Sequence, residues 1–371
     1  MKALFLAGGY GTRLRPFTFS KPKPLIDFAN EPIILHQIKA LHAVGVRTIV
    51  LAVNYQPSEM RKFAQEVKKE LDIEIIFSFE TEPLGTGGPL KLAEEYLKGD
   101  EPFFVLNSDV ICDFPFAEML EFHKKNKSEG TILATKVENP SRYGVIVHQE
   151  NGKIERFVEK PQEFVGDRIN AGIYILNPSV LDIIPLKWTS LEREIFPKLA
   201  KEEKIYCYHL NGFWMDVGKP GDFILGSTLY LKFISSQIKE SKKVKIHGGV
   251  LIQGEDIQGP VLVPKQGREA VKIGENCRIG PNVIIGKNVR IGNGCRLKNC
   301  TIMDNVVIGQ SSYIDNSIIG WGSHIGSWTR IQSHCFLGED VTVRDECNVN
   351  GLTVCPHKGV NQNILETTII L

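Results

Sequence analysis

A loop rich in glycine and positive charge lies near the start of the chain, in the stretch LAGGYGTRLRPFTFSKPKPL at residues 6–25. Glycines let a backbone pass close to a ligand and turn its N–H groups toward an anion. Arg13 adds a planar set of donors that suits phosphate oxygens, and Lys23 adds a point charge. The stretch therefore predicts a phosphate-binding loop. The alternative is a glycine-rich turn with solvated basic side chains, which the combination of glycines with both cations disfavours.

The loop differs from two well-known nucleotide-binding motifs. The run from Gly9 through Gly11 to Leu14 lacks the third glycine of the dinucleotide-binding fingerprint. The sequence also contains no G-x-x-x-x-G-K-[ST] pattern. Neither a nicotinamide site nor a Walker-type loop is supported, so another arrangement must hold the phosphate.

The elements around this loop alternate between short apolar runs and longer amphipathic segments. The apolar runs at 2–6, 48–53 and 74–79 predict strands, and the segments at 32–44, 58–71 and 89–97 predict helices. This order is typical of a parallel sheet covered on both faces. The next strand, at 103–106, leads into Asn107, Ser108 and Asp109. Ligands bind beyond the carboxyl ends of such strands, so we expect the glycine-rich loop and Asp109 to face one crevice.

The second half of the chain has a different period. Ile273, Ile279, Ile285 and Ile291 recur every six residues, and each is followed by glycine. Such a repeat predicts a parallel β-helix, in which each coil buries its aliphatic residue on the next. Trp321 and Trp328 interrupt the repeat, and both an outward-facing surface and core packing are open for them. We predict a catalytic domain at 1–228, a linker helix at 229–249 that includes the polar run KESKKVK, and a β-helix domain at 250–371.

At these residues the chain resembles the sugar-1-phosphate nucleotidyltransferases. The family pattern G-x-G-T-R-L-x-P-x-T begins here at Gly9 and is followed by K-P at Lys23. Further motifs match in order along the chain: PLGTGGPL, NSD, RYGV, FVEKP, NAGIYIL and GFWMDVG. The match spans nearly the whole chain and is closest to the β-type mannose-1-phosphate guanylyltransferases. The resemblance implies an α/β fold, with a Rossmann-like mixed or parallel sheet followed by a left-handed parallel β-helix of hexapeptide repeats.

The resemblance also implies a reaction and its site. GTP and mannose 1-phosphate would give diphosphate and GDP-mannose, a sugar donor for glycosylation, with Arg13, Lys23, Asp109, Lys160 and Asp216 as catalytic residues. The implied sugar-binding residues are Gly144, Glu159, Lys160 and Asn170. The implied nucleotide-binding residues are Leu6, Ala7, Gly8, Gly9, Gly11, Thr12, Arg13, Lys23, Glu80, Gly85, Thr86 and Asp109. For the guanine base itself, Glu80 and Glu82 are both open as hydrogen-bond acceptors.

The residues fit this chemistry. A sugar phosphate is already anionic near neutral pH, since its second ionisation lies at about 6, so the reaction needs no general base. The nine histidines are scattered and none lies in a motif; His36 and His42 are interpreted as packing or surface groups. The reaction does need cations and a metal to offset repulsion between two polyanions. Asp109 and Asp216 are the candidate Mg²⁺ ligands, because Mg²⁺ prefers oxygen donors and takes few carboxylates.

Composition excludes several other classes of function. The net charge is +1, so no overall field attracts nucleic acid or an anionic membrane. No apolar run is long enough to span a bilayer and no secretory signal is evident, so we expect a cytoplasmic protein with no membrane or nucleic-acid partner. The eight cysteines include no C-x-x-C pair, so reduced thiols, several of them buried, are expected. The β-helix predicts a homo-oligomer, alone or with a paralogous regulatory subunit.

Three alternatives are open at this stage. The first is the same reaction class with UTP or dTTP and glucose 1-phosphate. The second is an acyltransferase built on the β-helix, for which His324 and His334 are the candidate catalytic histidines. The third is a regulatory subunit that senses GDP-mannose without turning it over.

Overall fold

The computed structural model describes residues 1–54, 58–237, 243–246, 249–254, 257–264 and 271–371. The backbone divides into two compact units. The first unit comprises Met1–Gly9 and Ile34–Trp214, and the second comprises Tyr10–Ile33 and Met215–Leu371. The glycine-rich loop is therefore divided between the two units after Gly9. The predicted boundaries at 228 and 249 stay a prediction.

Helices and strands alternate in the first half of the chain. The helices are α1 (Ile33–Ala43), α2 (Ser58–Leu71), α3 (Gly88–Leu92), α4 (Glu94–Leu97), α5 (Phe116–Lys125), α6 (Phe196–Lys201) and α7 (Pro220–Ser236). The strands are β1 (Lys2–Leu6), β2 (Asp27–Phe28), β3 (Glu31–Pro32), β4 (Thr48–Val53), β5 (Glu74–Phe79), β6 (Phe103–Asn107), β7 (Val110–Cys112), β8 (Gly130–Lys136), β9 (Gly144–His148), β10 (Ile154–Glu159), β11 (Arg168–Leu176), β12 (Ile205–His209) and β13 (Trp214–Asp216).

The first unit is built on a mixed sheet with strand order β10-β9-β11-β6-β1-β4-β5, in which β8 pairs with β11 and β12. Its centre is parallel: β1 pairs with β4 and β6, placing Lys2 opposite Thr48 and Ala3 opposite Phe104. β11 runs antiparallel to β6 and shifts register against β8 between Asn170 and Tyr174. The alternation of strands and helices predicted from the sequence is thus confirmed for this sheet.

Two helices differ from their predicted bounds. The helix predicted at 89–97 is interrupted at Ala93, where φ −88° and ψ 9° leave the α region, so that two short helices form. Both of them bury a leucine in the core, Leu90 and Leu97. The linker helix predicted at 229–249 corresponds to the end of α7, which begins at Pro220 and ends at Ser236. Of the predicted linker, residues 238–242 and 247–248 lie outside the described residues.

The second unit contains a left-handed parallel β-helix made of short strands. After the antiparallel strands β14 (Lys243–Ile246), β15 (Gly249–Gly254) and the start of β16 (Ile257–Val263), the chain coils through three columns of strands. The coil strands are β17 (Lys272–Ile273), β18 (Arg278–Ile279), β19 (Val283–Ile285), β20 (Arg290–Ile291), β21 (Arg296–Lys298), β22 (Cys300–Ile302), β23 (Val307–Ile308), β24 (Tyr313–Asp315), β25 (Ile318–Ile319), β26 (His324–Ile325), β27 (Arg330–Gln332), β28 (Phe336–Leu337), β29 (Thr342–Val343), β30 (Asn348–Asn350), β31 (Leu352–Val354), β32 (Gly359–Val360) and β33 (Thr368–Ile370).

The hexapeptide repeat produces this stacking directly. Ile273 pairs with Ile291, which pairs with Ile308, so one aliphatic residue of each coil lies on the next. The glycine after the aliphatic residue is required by the same stacking: a Cβ on Gly292 would lie 2.6 Å from the backbone nitrogen of Gln310. The predicted β-helix is confirmed, and its buried side chains form one continuous core.

The two tryptophans of the β-helix have different environments. Trp321 is 6% exposed, whereas Trp328 is 62% exposed. Both possibilities raised by the sequence are therefore realised, one in each residue.

The cysteines are free thiols and most of them are buried. Seven are buried and Cys355 is partly exposed. Burial raises the pKa of Cys207 to about 12 and that of Cys295 to about 11, because a thiolate is poorly solvated in the core. No helix in the described part of the chain has the length and apolar character that a bilayer crossing requires.

Candidate active site

The first unit holds a cavity of about 250 Å³ at the carboxyl end of β1. Its lining is Leu6, Gly8, Gly9, Asn54, Glu80, Pro83, Leu84, Gly85 and Trp188. Five of these residues were predicted to bind nucleotide, and the cavity brings them together. Trp188 was not predicted, since no motif marks it, yet it lines the cavity with its side chain 56% exposed.

Two glycines of this cavity are required by their close neighbours. A Cβ on Gly8 would lie 2.5 Å from Asn54 Oδ1, so the strand end can pass Asn54 only without a side chain. Gly85 has φ +75°, and a Cβ there would lie 2.5 Å from the Thr189 carbonyl oxygen. By contrast, a Cβ on Gly9 would meet nothing within 4 Å, so Gly9 borders open space. Ala7 continues the strand, because its N–H donates to the Ala52 carbonyl at 3.0 Å.

Glu80 is the buried acid of this cavity. Its Oε2 accepts the Leu84 N–H at 3.1 Å, which holds the carboxylate in place. Burial raises the pKa of Glu80, and the Leu84 hydrogen bond partly opposes that shift. The carboxylate is thus fixed beside Gly8 with acceptor capacity to spare, because its two oxygens together accept about four hydrogen bonds.

A partly buried hydrogen-bond network links the predicted nucleotide residue Thr86 to the predicted sugar residue Asn170. Thr86 Oγ1 donates to Glu192 Oε2 at 2.7 Å. Tyr174 donates its hydroxyl to Glu192 Oε1 at 3.3 Å and accepts from Asn170 Nδ2 at 2.8 Å. Glu192 and Tyr174 were not identified from the sequence, because neither stands out by type or spacing.

The other predicted sugar residues lie on the β9–β10 hairpin. Gly144 begins β9, and a Cβ there would lie 2.7 Å from the Phe157 ring and 2.9 Å from Glu159 Oε2. Glu159 pairs with Lys160, whose Nζ lies 3.1 Å from its Oε1. The Lys160 side chain is 62% exposed and therefore accessible to a ligand. Gly144, Glu159 and Lys160 thus form one cluster, whereas Asn170 belongs to the Glu192 network.

Asp109 lies in the turn between β6 and β7, and a buried glutamine holds that turn. Gln37 Nε2 donates to the carbonyls of Asn107 at 2.9 Å and Val110 at 2.7 Å, on either side of Asp109. Ser108 donates its hydroxyl to the Leu6 carbonyl at 3.1 Å, which connects the turn to β1. Gln37 is fully buried on α1, and a lone glutamine in an amphipathic helix gave no sequence signal.

The second unit holds the remaining predicted residues. Arg13 and Asp216 flank Gly218: a Cβ there would lie 3.3 Å from Arg13 Nη2 and 3.0 Å from Asp216 Oδ1. Thr12 and Arg13 form a short 3₁₀ turn with Leu14. It follows Gly11, which has φ +63° and would place a Cβ 3.0 Å from Lys23 Cβ. Arg13 and Asp216 are thus brought together, and so are Gly11 and Lys23.

The β-helix directly contacts the stretch Tyr10–Ile33, which carries Arg13 and Lys23. Trp321 Nε1 donates to Asp27 Oδ2 at 2.9 Å, and Lys21 Nζ lies 2.6 Å from the same oxygen. Lys21 Nζ also lies 4.4 Å from the centre of the Trp321 ring, and Phe17 packs edge-on against that ring at 6.3 Å. Asn30 donates to the Ile285 carbonyl at 2.9 Å. The segment that carries Arg13 and Lys23 is therefore held against the β-helix.

That the side chains of the implied catalytic residues share one crevice stays a prediction; the residues concerned are Arg13, Asp109, Lys160 and Asp216. Asp109 and Lys160 belong to the first unit, and Arg13 and Asp216 to the second. Within each unit the geometry suits phosphate-ester chemistry: exposed cations, fixed carboxylates and glycine-lined space. None of the predicted catalytic residues is a serine, cysteine or histidine, the residue types of the hydrolytic triads.

Comparison with known proteins defines the class. A family model described as Nucleotidyl transferase matches residues 2–232, and one described as GMPPB C-terminal domain matches residues 257–370. A solved structure titled as a putative glucose-1-phosphate thymidylyltransferase from Bacillus anthracis has a TM-score of 0.56. At 23% identity it supports the fold alone, and it covers 65% of this chain and 98% of that one. The protein is a nucleotidyltransferase.

Full-length relatives define the family. A "Mannose-1-phosphate guanyltransferase" of Yarrowia lipolytica is 54% identical, with 100% of both chains covered. A "Mannose-1-phosphate guanylyltransferase catalytic subunit beta" of Drosophila melanogaster is 52% identical, with 100% of this chain and 97% of that one covered. The structure of HddC from Yersinia pseudotuberculosis complexed with GMP-PN is 28% identical, with a TM-score of 0.50 over 61% of this chain and 97% of that one. The chain belongs to the family of mannose-1-phosphate guanyltransferases.

Proposed function

We propose that the protein transfers GMP from GTP to mannose 1-phosphate, releasing diphosphate and forming GDP-mannose. The observation that carries this proposal is the 54% identity, over the full length of both chains, to a relative named for that activity. The cavity around Glu80 supports it independently, because it places a fixed carboxylate beside the glycine-rich strand end.

The base would lie in the Glu80 cavity. Guanine presents two neighbouring donors, N1–H and the N2 amino group, and one carboxylate can accept both. Uracil and thymine present a single N–H on the corresponding edge, so the same carboxylate would leave part of its capacity unused. The exposed Trp188 ring at the cavity rim provides an apolar face for the base. We therefore assign the base to Glu80 rather than Glu82.

The phosphates would be held by the backbone at Gly8, Gly9, Gly11 and Thr12 together with Arg13 and Lys23. Leu6 and Ala7 end the strand that delivers this loop. The open space beside Gly9 supports the proposal, because a ligand can approach the backbone there. A unit charge pair at 4 Å is worth about 4 kcal/mol at an effective dielectric near 20, so each cation is a substantial contributor.

The sugar phosphate would be gripped by Lys160, with Glu159 and Asn170 binding sugar hydroxyls beside Gly144. The exposed Lys160 ammonium, 3.1 Å from Glu159, is a charge that an incoming phosphate can use. Because the sugar phosphate is already ionised, these residues need only align it for in-line attack on the α-phosphorus. The proton balance then requires no general base.

Enzymes of this family typically use a divalent metal, and we propose Mg²⁺ held by Asp109 and Asp216. The donor set fits, since both residues offer hard carboxylate oxygens, of which Mg²⁺ takes one or two. When bound, the ion supplies Lewis-acid stabilisation of the phosphate charge. Gln37 would keep the turn that carries Asp109 in position. Arg13 would place its positive charge beside the Asp216 carboxylate.

The deciding experiment is a matrix of nucleotides against sugar 1-phosphates, followed by diphosphate release, with Mg²⁺ present and then chelated. We expect GTP with mannose 1-phosphate to exceed UTP or dTTP with glucose 1-phosphate by at least tenfold in kcat/KM, and chelation to abolish turnover. Comparable rates with UTP would contradict the proposal. A chain that binds GDP-mannose without turnover would instead be the sensor.

Variants test the residue assignments separately. Asp109→Ala should lower kcat by roughly two decades, which corresponds to about 2.7 kcal/mol. Lys160→Ala should mainly raise KM for the sugar phosphate, since it removes binding shared by ground and transition states. Glu80→Gln should raise KM for GTP and narrow the preference over UTP, with Glu82→Gln as the matched control. Equal and small effects in all four would overturn the assignments.

We further propose a cytoplasmic enzyme that assembles through its β-helix, as a homo-oligomer or with a paralogous subunit. The Drosophila relative is named as a catalytic subunit, which supports a subunit partner. Light scattering on the purified chain tests the homo-oligomer, and a mass equal to one chain at all concentrations would contradict it.

A further inference from the structure

A cluster of three metal-ligating side chains lies on the first unit, apart from the residues assigned to substrates. It consists of His148, Cys207 and His209, and one ligand atom from each lies within 4.8 Å of the others. Cys207 is buried, and both histidines are partly exposed. The established family activity gives none of the three a role, so their juxtaposition calls for its own explanation.

Strand geometry places these residues together. His148 is the last residue of β9, four residues beyond Gly144. Cys207 and His209 are two apart on β12, so they lie on one face of that strand. The Cys207 N–H donates to the Gly152 carbonyl at 2.7 Å, which ties β12 to the turn of the β9–β10 hairpin.

The distances agree with those of a zinc site. Tetrahedral zinc, with Zn–S near 2.3 Å and Zn–N near 2.05 Å, requires a sulfur–nitrogen separation of about 3.6 Å. Cys207 Sγ lies 3.5 Å from His209 Nε2. The His148 and His209 rings are 4.5 Å apart between centres. The third ligand atom, from the partly exposed His148, lies within 4.8 Å of the other two.

We propose that His148, Cys207 and His209, here called the His–Cys–His site, bind one zinc ion. One thiolate with two imidazoles suits Zn²⁺ and disfavours Mg²⁺, which selects oxygen ligands. Nδ1 of His148 lies 2.8 Å from the Gln149 carbonyl oxygen, which can only accept a hydrogen bond. That bond therefore places the proton on Nδ1 and leaves Nε2 with its lone pair, the usual arrangement of a metal-binding histidine.

An open cavity of about 350 Å³ borders Cys207 and His209. Binding forms a Zn–S bond at Cys207 and releases the thiol proton to solvent, with no change of oxidation state.

The bound ion would connect the end of β9 to β12. Four residues of strand separate His148 from Gly144, a distance of about 13 Å at roughly 3.3 Å per residue. The His–Cys–His site is therefore separate from the cluster of Gly144, Glu159 and Lys160 at the other end of β9. Its expected effect is a higher Tm of the chain in zinc, because the ion binds the folded form.

Cobalt titration of the untagged full-length chain tests the proposal. Co²⁺ replaces Zn²⁺ and reports thiolate ligation by a near-ultraviolet charge-transfer band, which an all-oxygen site cannot produce. We expect this band to saturate at one Co²⁺ per chain and to disappear when Zn²⁺ is added. Its absence at stoichiometric Co²⁺, with the chain folded by circular dichroism, would overturn the proposal.

Variants locate the band. Cys207→Ser should abolish it, and His148→Gln should weaken Co²⁺ binding at least tenfold. Cys355→Ser and His357→Gln, which alter a partly exposed thiol and an exposed imidazole of the β-helix, should leave it unchanged. Because His148 is partly exposed, its variant keeps the test decisive if Cys207→Ser does not fold. A band that survives both site variants, or that Cys355→Ser removes, would contradict the assignment.

Discussion

Trp321 donates its indole N–H to Asp27 across 2.9 Å, so a residue of the β-helix holds the segment that carries Arg13 and Lys23. Lys21 adds to the same carboxylate and packs on the indole ring. A hydrogen bond to a charged group contributes about 1.5–3 kcal/mol and a cation–π contact about 0.5–1 kcal/mol. The segment proposed to bind phosphate is therefore held by a residue nearly three hundred positions further along the chain.

We expect Trp321→Ala to lower kcat/KM for GTP by about tenfold, since each 1.36 kcal/mol of lost positioning is tenfold. Trp321→Phe keeps an aromatic ring at this position but removes the indole N–H, so it should have a smaller effect than Trp321→Ala. Trp328→Ala, which removes the exposed tryptophan of the same β-helix, is the control. Steady-state kinetics with a melting curve for each variant decide the matter, and identical kinetics for the two alanine variants would contradict the expectation.

Gln37→Leu should weaken Mg²⁺ binding, because Gln37 holds the turn that carries Asp109. The substitution keeps the volume roughly constant but leaves the Asn107 and Val110 carbonyls without their donor. Each unsatisfied buried group costs about 1–3 kcal/mol, so the free energy of unfolding should fall. The measurement that separates positioning from stability is the Mg²⁺ concentration for half-maximal rate, which should rise several-fold. Ser227→Ala, which removes one buried hydrogen bond to Phe223 in α7, should reduce stability but not shift that concentration.

Glu192→Gln should raise KM for the sugar phosphate. The Glu192 carboxylate accepts from three hydroxyl groups, those of Thr86, Ser190 and Tyr174, and an amide cannot accept all of them. We expect an increase of about tenfold, equivalent to roughly 1.4 kcal/mol.

The matched control for this network is Glu194→Gln. Glu194 accepts the Ser190 N–H at 2.9 Å, in the same turn as Glu192. If Glu194→Gln raised KM as much as Glu192→Gln, the effect would be one of local folding and the link between Thr86 and Asn170 would carry no function.

Gly172→Ala should destabilise the fold at the sugar side of the site. Gly172 has φ +76°, and a Cβ there would lie 2.5 Å from Asn107 Nδ2. Residues held in such a conformation cost about 1–3 kcal/mol, and the clash adds to that. Gly221→Ala, in the first turn of α7 with nothing within 4 Å of its Cβ position, should instead be neutral or stabilising by up to about 1 kcal/mol. Urea unfolding of the two variants compares them directly.

The buried His123 should make stability fall in mild acid. Its Nδ1 lies 2.8 Å from Thr131 Oγ1 and its Nε2 3.1 Å from Asn177 Oδ1. Burial lowers the pKa of His123, so the unfolded chain binds a proton below pH 6.5 that the folded chain refuses. The free energy of unfolding should therefore decrease by up to about 1.4 kcal/mol per pH unit between 6.5 and the lowered folded pKa.

His123→Gln removes this titration and should flatten the dependence of unfolding free energy on pH. His324→Gln, at an exposed position of β26, should leave the slope as it is. A slope unchanged in His123→Gln would assign the acid sensitivity elsewhere, for example to His209, whose pKa burial also lowers.

The sequence predicted the periodic elements well, because their side-chain patterns are local. Strands β4 and β5 and helix α2 have the predicted bounds, and the six-residue repeat produced the β-helix. The division of the helix at Ala93 was not predicted, since it arises from packing of Leu90 and Leu97 in the core. Local pattern has no access to such tertiary contacts.

The site was predicted as a set of motif positions, and its supporting residues were not. Gln37 and Glu192 act through distant partners, Trp188 lines the cavity, and none of the three carries a spacing that marks it. Trp321 interrupts a repeat, which flagged it as unusual, but its partner Asp27 could not be found without coordinates. Apart from Trp188, the residues proposed to touch substrate were identified from the sequence, whereas those that orient them depend on three-dimensional contact.

The burial of the seven thiols gives the protein native reporters of its own opening. Alkylating reagents need an accessible thiolate, so these cysteines react only when the structure around them opens. Cys112 lies on β7 and Cys207 on β12 of the mixed sheet, and the other five follow the coils: Cys277, Cys295, Cys300, Cys335 and Cys347. The order in which labelled peptides appear during slow alkylation would therefore record which coil or strand loosens first, without any engineered probe.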